Sequence, residues 1–137
     1  MVGTCSLRHI GILAGLVLVC LPLTAAAQQS RIPVIAGQHG PDHDACGTQG
    51  VVRGLDPKGD GFLAVRAGPS SKYAMLDKVY GGTILNLCDQ SGSWLGVVYS
   101  HETKDCGVGT PWQRAGAYNG PCLSGWVFRK YVAEFAG

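Results

Sequence analysis

Apolar positions fall into two patterns along the chain. From Ile10 to Leu21 they run almost without interruption, whereas from Cys46 onward they come in short pieces parted by Gly, Pro, Asp and Ser. The pieces are Val51–Leu55, Phe62–Ala67, Ala74–Tyr80, Thr83–Leu87, Trp94–Ser100 and Gly125–Phe128. Leu63 and Val65 share one phase, as do Leu85 and Leu87, and turn-forming runs such as Asp56–Gly61, Gly68–Ser71 and Asp89–Ser93 separate the pieces. Short alternating runs bounded by such residues predict strands. No segment sustains a helical period, and Arg129–Tyr131 is expected to form a single 3₁₀ turn. The pattern predicts an all-β fold, a small barrel or sandwich. Leu63, Val65, Leu85, Leu87, Val97 and Val127 supply its inward phase. Arg66 falls in the outward phase, where its stem packs and its guanidinium meets nearby loop carbonyls.

The long apolar run has a different meaning. Arg8 and His9 precede it, and Ala25-Ala26-Ala27 follow it. A basic start, an apolar core and a small-residue end are the marks of a secretory signal peptide, here residues 1–27. The run is short for a membrane span, so no membrane insertion is expected after cleavage. Leu18 and Val19 ahead of Cys20 argue against lipidation of that cysteine. Residues 28–137 then suffice for one small domain. Residues 28–45, with Pro33, Gly37, Gly40 and Pro41, read as a flexible leader, and residues 46–137 as the folded domain. His39, His43 and Asp44 within the leader are expected to be solvated.

Charge and cysteine content narrow the classes further. The whole chain carries 11 Lys/Arg against 9 Asp/Glu. The longest basic run is Arg129-Lys130, so no nucleic-acid footprint is present. Once Cys5 and Cys20 leave with the signal, Cys46, Cys88, Cys106 and Cys122 remain. In an exported chain of this size four cysteines imply two disulfides. No C-x-x-C or C-x-x-H pair suggests zinc, and no metal or cofactor is expected.

The residues also resemble a family. Leu63-Ala-Val65-Arg66-Ala-Gly68-Pro69-Ser70-Ser-Lys-Tyr73 is similar to the opening motif of bacterial SH3-like (SH3b) domains. Gly82-Thr83-x-Leu85-x-Leu87, Ser93-Trp94-x-x-Val97, and Gly125-Trp126-Val127 with Tyr131-Val132 resemble that family's later strands in the same order. The resemblance covers roughly residues 61–132. It implies a small SH3-like barrel, with Trp94 and Trp126 as strand scaffold. Tyr73, Tyr99 and Tyr131 would line an aromatic groove for extended peptides. Residues 101–123 depart from the family pattern and form an insertion before the last strand.

Register places the disulfides. If Trp94–Ser100 and Gly125–Phe128 pair antiparallel with Val97 opposite Val127 or Trp126, Cys106 and Cys122 come nearly opposite one another. Closing that interval contributes about 3 kcal/mol in the chain-entropy model. By elimination Cys46 pairs with Cys88 and staples the leader to the domain.

Loops carry specificity on a stable scaffold, so the tied insertion is a second candidate site. It presents Trp112, Arg114 and Tyr118, residue types that dominate binding hot spots; Trp112 and Tyr118 could equally fill the loop's own core. Catalysis finds no motif: G-x-S-x-G, H-E-x-x-H and a phosphate-binding loop are missing, and His101-Glu102 with Asp105 read as a solvated turn. The expected protein is a periplasmic or secreted, monomeric, non-enzymatic binding module for peptidoglycan peptides or an envelope protein. An inhibitor or effector acting through residues 101–123, and a structural envelope protein without a discrete ligand, are the alternatives.

Overall fold

A computed structural model of the chain describes residues 19–23 and 29–136. Apart from residues 19–23, the expected export signal lies outside the described residues. No described helix is long and apolar enough to cross a membrane.

The fold is all-β. Among the described residues nine strands follow in order: β1 (Ile35–Ala36), β2 (Thr48–Val52), β3 (Leu63–Arg66), β4 (Met75–Val79), β5 (Ile84–Ser91), β6 (Trp94–Tyr99), β7 (Gly116–Ala117), β8 (Leu123–Phe128) and β9 (Val132–Ala136). A 3₁₀ turn at Arg129–Tyr131 joins β8 to β9. Seven strands make one sheet in the order β4-β3-β8-β6-β5-β2-β9, and β1 pairs with β7 in a second, two-stranded sheet.

The inner face of the large sheet holds the expected core. Leu63, Val65, Leu85, Val97 and Val127 are buried together with Val52, Val79, Leu95 and Tyr99, and Leu87 packs half-buried against them. Each fully buried apolar side chain of this size contributes about 1.5–3 kcal/mol relative to exposure.

A second layer covers the outer face. Val34 and Ala36 from β1 and its approach, Ala45, Val108 and Tyr118 pack with both disulfides on Val98 and Trp126, the outward phase of β6 and β8. Residues Leu95 to Tyr99 of β6 are therefore all buried, which explains why that strand is apolar in both phases. Gly96 makes the close approach possible, because a Cβ there would stand 3.1 Å from Val34 Cγ1 and collide with Asp89. Backbone bonds zip the layer together: Tyr118 N–H donates to Val34 O, Ala45 N–H to Thr110 O and Cys46 N–H to Val108 O. Arg31 donates to Ser124 O at 2.6 Å and Trp126 Nε1 to Ile32 O at 2.9 Å.

Both disulfides join the expected partners, Cys46 with Cys88 and Cys106 with Cys122. Four expectations change. Within the expected flexible leader Val34–Gly37 and Ala45 pack as a strap, because the apolar outer face of β6 and β8 gives the short Val34–Ala36 run a place to bury, while residues 31–33 and 41–44 stay exposed. Closure into a barrel is not seen: no ladder joins the terminal strands β4 and β9. The strand after the 3₁₀ turn, β9, was not anticipated and adds to the free edge of β2, so the insertion precedes the penultimate strand. Finally, Val97 lies opposite Gly125 rather than Val127 or Trp126; the strands pair antiparallel as expected, with the register slipped.

Candidate functional site

Position along the strands brings three aromatic rings to one end of the sheet. Trp94 opens β6 and Phe128 closes β8, and the antiparallel register sets them directly opposite. Their ring centroids are 5.5 Å apart. The chain then turns through Arg129–Tyr131, held by the Arg129 N–H bond to Ser93 O, and this places the Tyr131 ring 6.2 Å from Phe128. All three are half-buried, since at strand ends the sheet covers only one side of each ring.

These rings form one wall of a cleft of about 820 Å³. Leu55, Asp56 and the turn to Phe62, then Leu63, Ala64 and Arg66 of β3, and Ser70, Ser71 and Met75 complete its lining. The two loops that contribute to it have local causes. Asp56 Oδ1 accepts the Lys58 N–H at 2.8 Å and its carbonyl accepts the Gly59 N–H, closing a tight turn. For the other, Arg66 Nη1 donates to Tyr73 O at 3.0 Å, the carbonyl contact expected of it, and pins the 68–73 loop. An aromatic, partly apolar cleft with a few polar groups in its lining suits an extended chain.

A second cleft, of about 780 Å³, is lined by Leu76 and Asp77 of β4, by Tyr99, and by His101 and Tyr118 of the insertion. Here Asp77 accepts the Tyr99 hydroxyl at 2.7 Å and lies 2.6 Å from His101 Nε2. Burial would raise the Asp77 carboxyl, but bonds from Tyr99, His101 and the Lys78 backbone, with the His101 charge, hold it below its ordinary 3.8. Burial, reinforced by Asp77, pushes the Tyr99 hydroxyl well up. At neutral pH Asp77 is thus the ionised acceptor and Tyr99 the donor. The contact ties the first residue of the insertion to an edge strand. His101 was read with Glu102 and Asp105 as a solvated turn; its actual partner lies on β4, and no local sequence signal points there.

Of the five expected ligand-binding residues, Tyr99 and Tyr118 both line the second cleft and none lines the aromatic one. Tyr73 lies outside the cleft lining, its ring so close over Gly68 that a Cβ there would sit 2.5 Å from it. Tyr99 is 1% exposed, and its ring belongs to the inner core. Trp112 is half-buried, stacks on Tyr118 with centroids 6.4 Å apart, and donates Nε1–H to Gly107 O. Tyr118 is buried; its hydroxyl donates to Cys106 O at 2.8 Å and accepts from Cys122 N–H at 3.1 Å. Arg114 alone of the insertion's three stands exposed.

Tyr131 does line the aromatic cleft. Trp94, taken as scaffold, and Phe128 join it there; the available signal was that both are large aromatics at strand ends, next to turns. Among the described residues, no group of three or more His, Cys, Asp or Glu is gathered to hold a metal ion.

Comparison with known proteins adds no relative: no family model, no curated protein and no solved structure matches the chain.

Proposed function

We propose that the chain is an exported, non-catalytic binding module of SH3-like ancestry. It seats an extended peptide of the bacterial envelope, from peptidoglycan or from a protein partner, in the cleft walled by Trp94, Phe128 and Tyr131. The run of three rings beside a cleft of about 820 Å³ carries this reading. Two disulfides agree with an oxidising periplasmic or extracellular location. The inhibitor reading loses support because its anchors Trp112 and Tyr118 face inward, leaving Arg114 as the exposed member of that set.

The test is co-sedimentation of the disulfide-intact protein with purified peptidoglycan sacculi. Saturable binding that a stem-peptide fragment competes away is expected. Trp94→Leu and Tyr131→Ala should each weaken it about tenfold, the scale of losing one aromatic anchor, while Arg114→Ala leaves it unchanged. Near-ultraviolet circular dichroism checks that each variant is folded. Binding that ignores both cleft variants and falls with Arg114→Ala would move the site to the insertion. No sedimentation at all removes the wall ligand.

A further inference from the structure

The aromatic cleft has an electrostatic asymmetry that its apolar wall does not explain. Asp56 and Asp60 both line it, on the exposed 56–61 turn. Among the described residues the only cation in the lining is Arg66, whose Nη1 is committed to Tyr73 O at 3.0 Å. The Lys58 side chain, between the two acids in sequence, is not part of the lining.

The rings themselves already take ammonium groups from the same chain. Lys130 Nζ stands 5.6 Å from the centroid of Tyr131, and Lys78 Nζ 4.4 Å from that of Phe62, a ring at the cleft's edge. A cation over an aromatic face within about 6 Å is attracted by the ring quadrupole. Two of the lining rings therefore hold such a group, whereas no ammonium or guanidinium of the described residues stands over Trp94, the strongest kind of cation acceptor, or over Phe128.

Resting on the reading of this cleft as a peptide site, we infer that it selects extended peptides bearing a primary ammonium side chain. The ammonium sits over the Trp94–Phe128 wall and pairs with Asp56 or Asp60, while the rest of the peptide lies along the cleft. Charge complementarity sets the choice among peptides, and the rings supply affinity common to all of them.

The experiment titrates the disulfide-intact protein with a short end-blocked Gly/Ala/Pro peptide carrying one central lysine. Parallel titrations use the same peptide with norleucine or N-acetyl-lysine in its place. Binding is followed by the indole N–H resonance of Trp94. The lysine peptide should bind about tenfold tighter than either neutral one and weaken with added salt. Asp56→Asn with Asp60→Asn should erase the difference while leaving the neutral peptides unaffected; asparagine at 56 can still accept the Lys58 N–H, so the turn survives. Equal binding of all three peptides at Trp94 overturns the ammonium selectivity and leaves the cleft as a peptide site. Failure of every peptide to move the Trp94 resonance overturns both.

Discussion

His101 Nε2 lies 2.6 Å from Asp77 Oδ2, and the same oxygen accepts the Tyr99 hydroxyl at 2.7 Å. One carboxylate thereby joins an edge strand, a core tyrosine and the start of the insertion. Asp77→Ala leaves a buried hydroxyl without its acceptor, a loss of about 1–3 kcal/mol at neutral pH. His101→Ala should cost less, because that side chain is half exposed. The folded carboxyl titrates below its ordinary 3.8, so its stabilisation is complete above that value and is lost as pH falls through the lowered one. Urea unfolding should accordingly show the gap between wild type and Asp77→Ala narrowing only below about pH 3.8. A gap that stays constant through that range would remove Asp77 from the acid response.

Sequence reading located most of the large sheet because short alternation is a local signal. The six expected runs each overlap a strand, three of them containing it whole, and five of the six expected inward residues are buried. The strap escaped notice for a non-local reason. Val34–Ala36 is too short to show a period and is ringed by Pro33 and Gly37; its burial depends on Val98 and Trp126, far along the chain. The available hint was that Leu95–Tyr99 is apolar in both phases, which only a second layer explains. Of the three tyrosines expected along one groove, Tyr131 lines the aromatic cleft and Tyr73 and Tyr99 do not, since a phase tells which face a ring takes and not which end of the sheet it reaches.

The strap's structural role is testable at Val34, which is 2% exposed and stands against Gly96 on the outer face. Val34→Ala should lower stability by about 1–3 kcal/mol through lost burial and a residual cavity. Val34→Asp should lift the strap, break the Trp126 Nε1–Ile32 O bond and red-shift the Trp126 fluorescence. A merely flexible leader would give neither change, so wild-type stability in both variants would return residues 29–45 to that description.

Tyr118 is the polar centre of the insertion. Its hydroxyl bridges Cys106 O and Cys122 N–H, across the disulfide those residues form. Tyr118→Phe keeps the ring and its stack on Trp112 while orphaning both backbone groups. About 1–3 kcal/mol of local stability should be lost, read as faster amide exchange at Cys122 and quicker proteolysis within residues 106–122. Exchange at Cys122 unchanged from wild type would mean that water replaces the hydroxyl without cost.

The two disulfides should differ in global and in functional effect. Cys46–Cys88 spans 42 residues and Cys106–Cys122 spans 16, so the chain-entropy model gives about 4 and about 3 kcal/mol respectively. The larger bridge also fastens the strap to β5, whereas the smaller one fastens the insertion to itself. Cys46→Ala with Cys88→Ala should therefore shift the denaturation midpoint further than Cys106→Ala with Cys122→Ala. No residue of the insertion lines the aromatic cleft. The Cys106/Cys122 double variant should consequently bind sacculi as well as wild type wherever it remains folded, and a folded variant that no longer binds would make the tied loop, not the cleft, the part of the molecule that meets its partner.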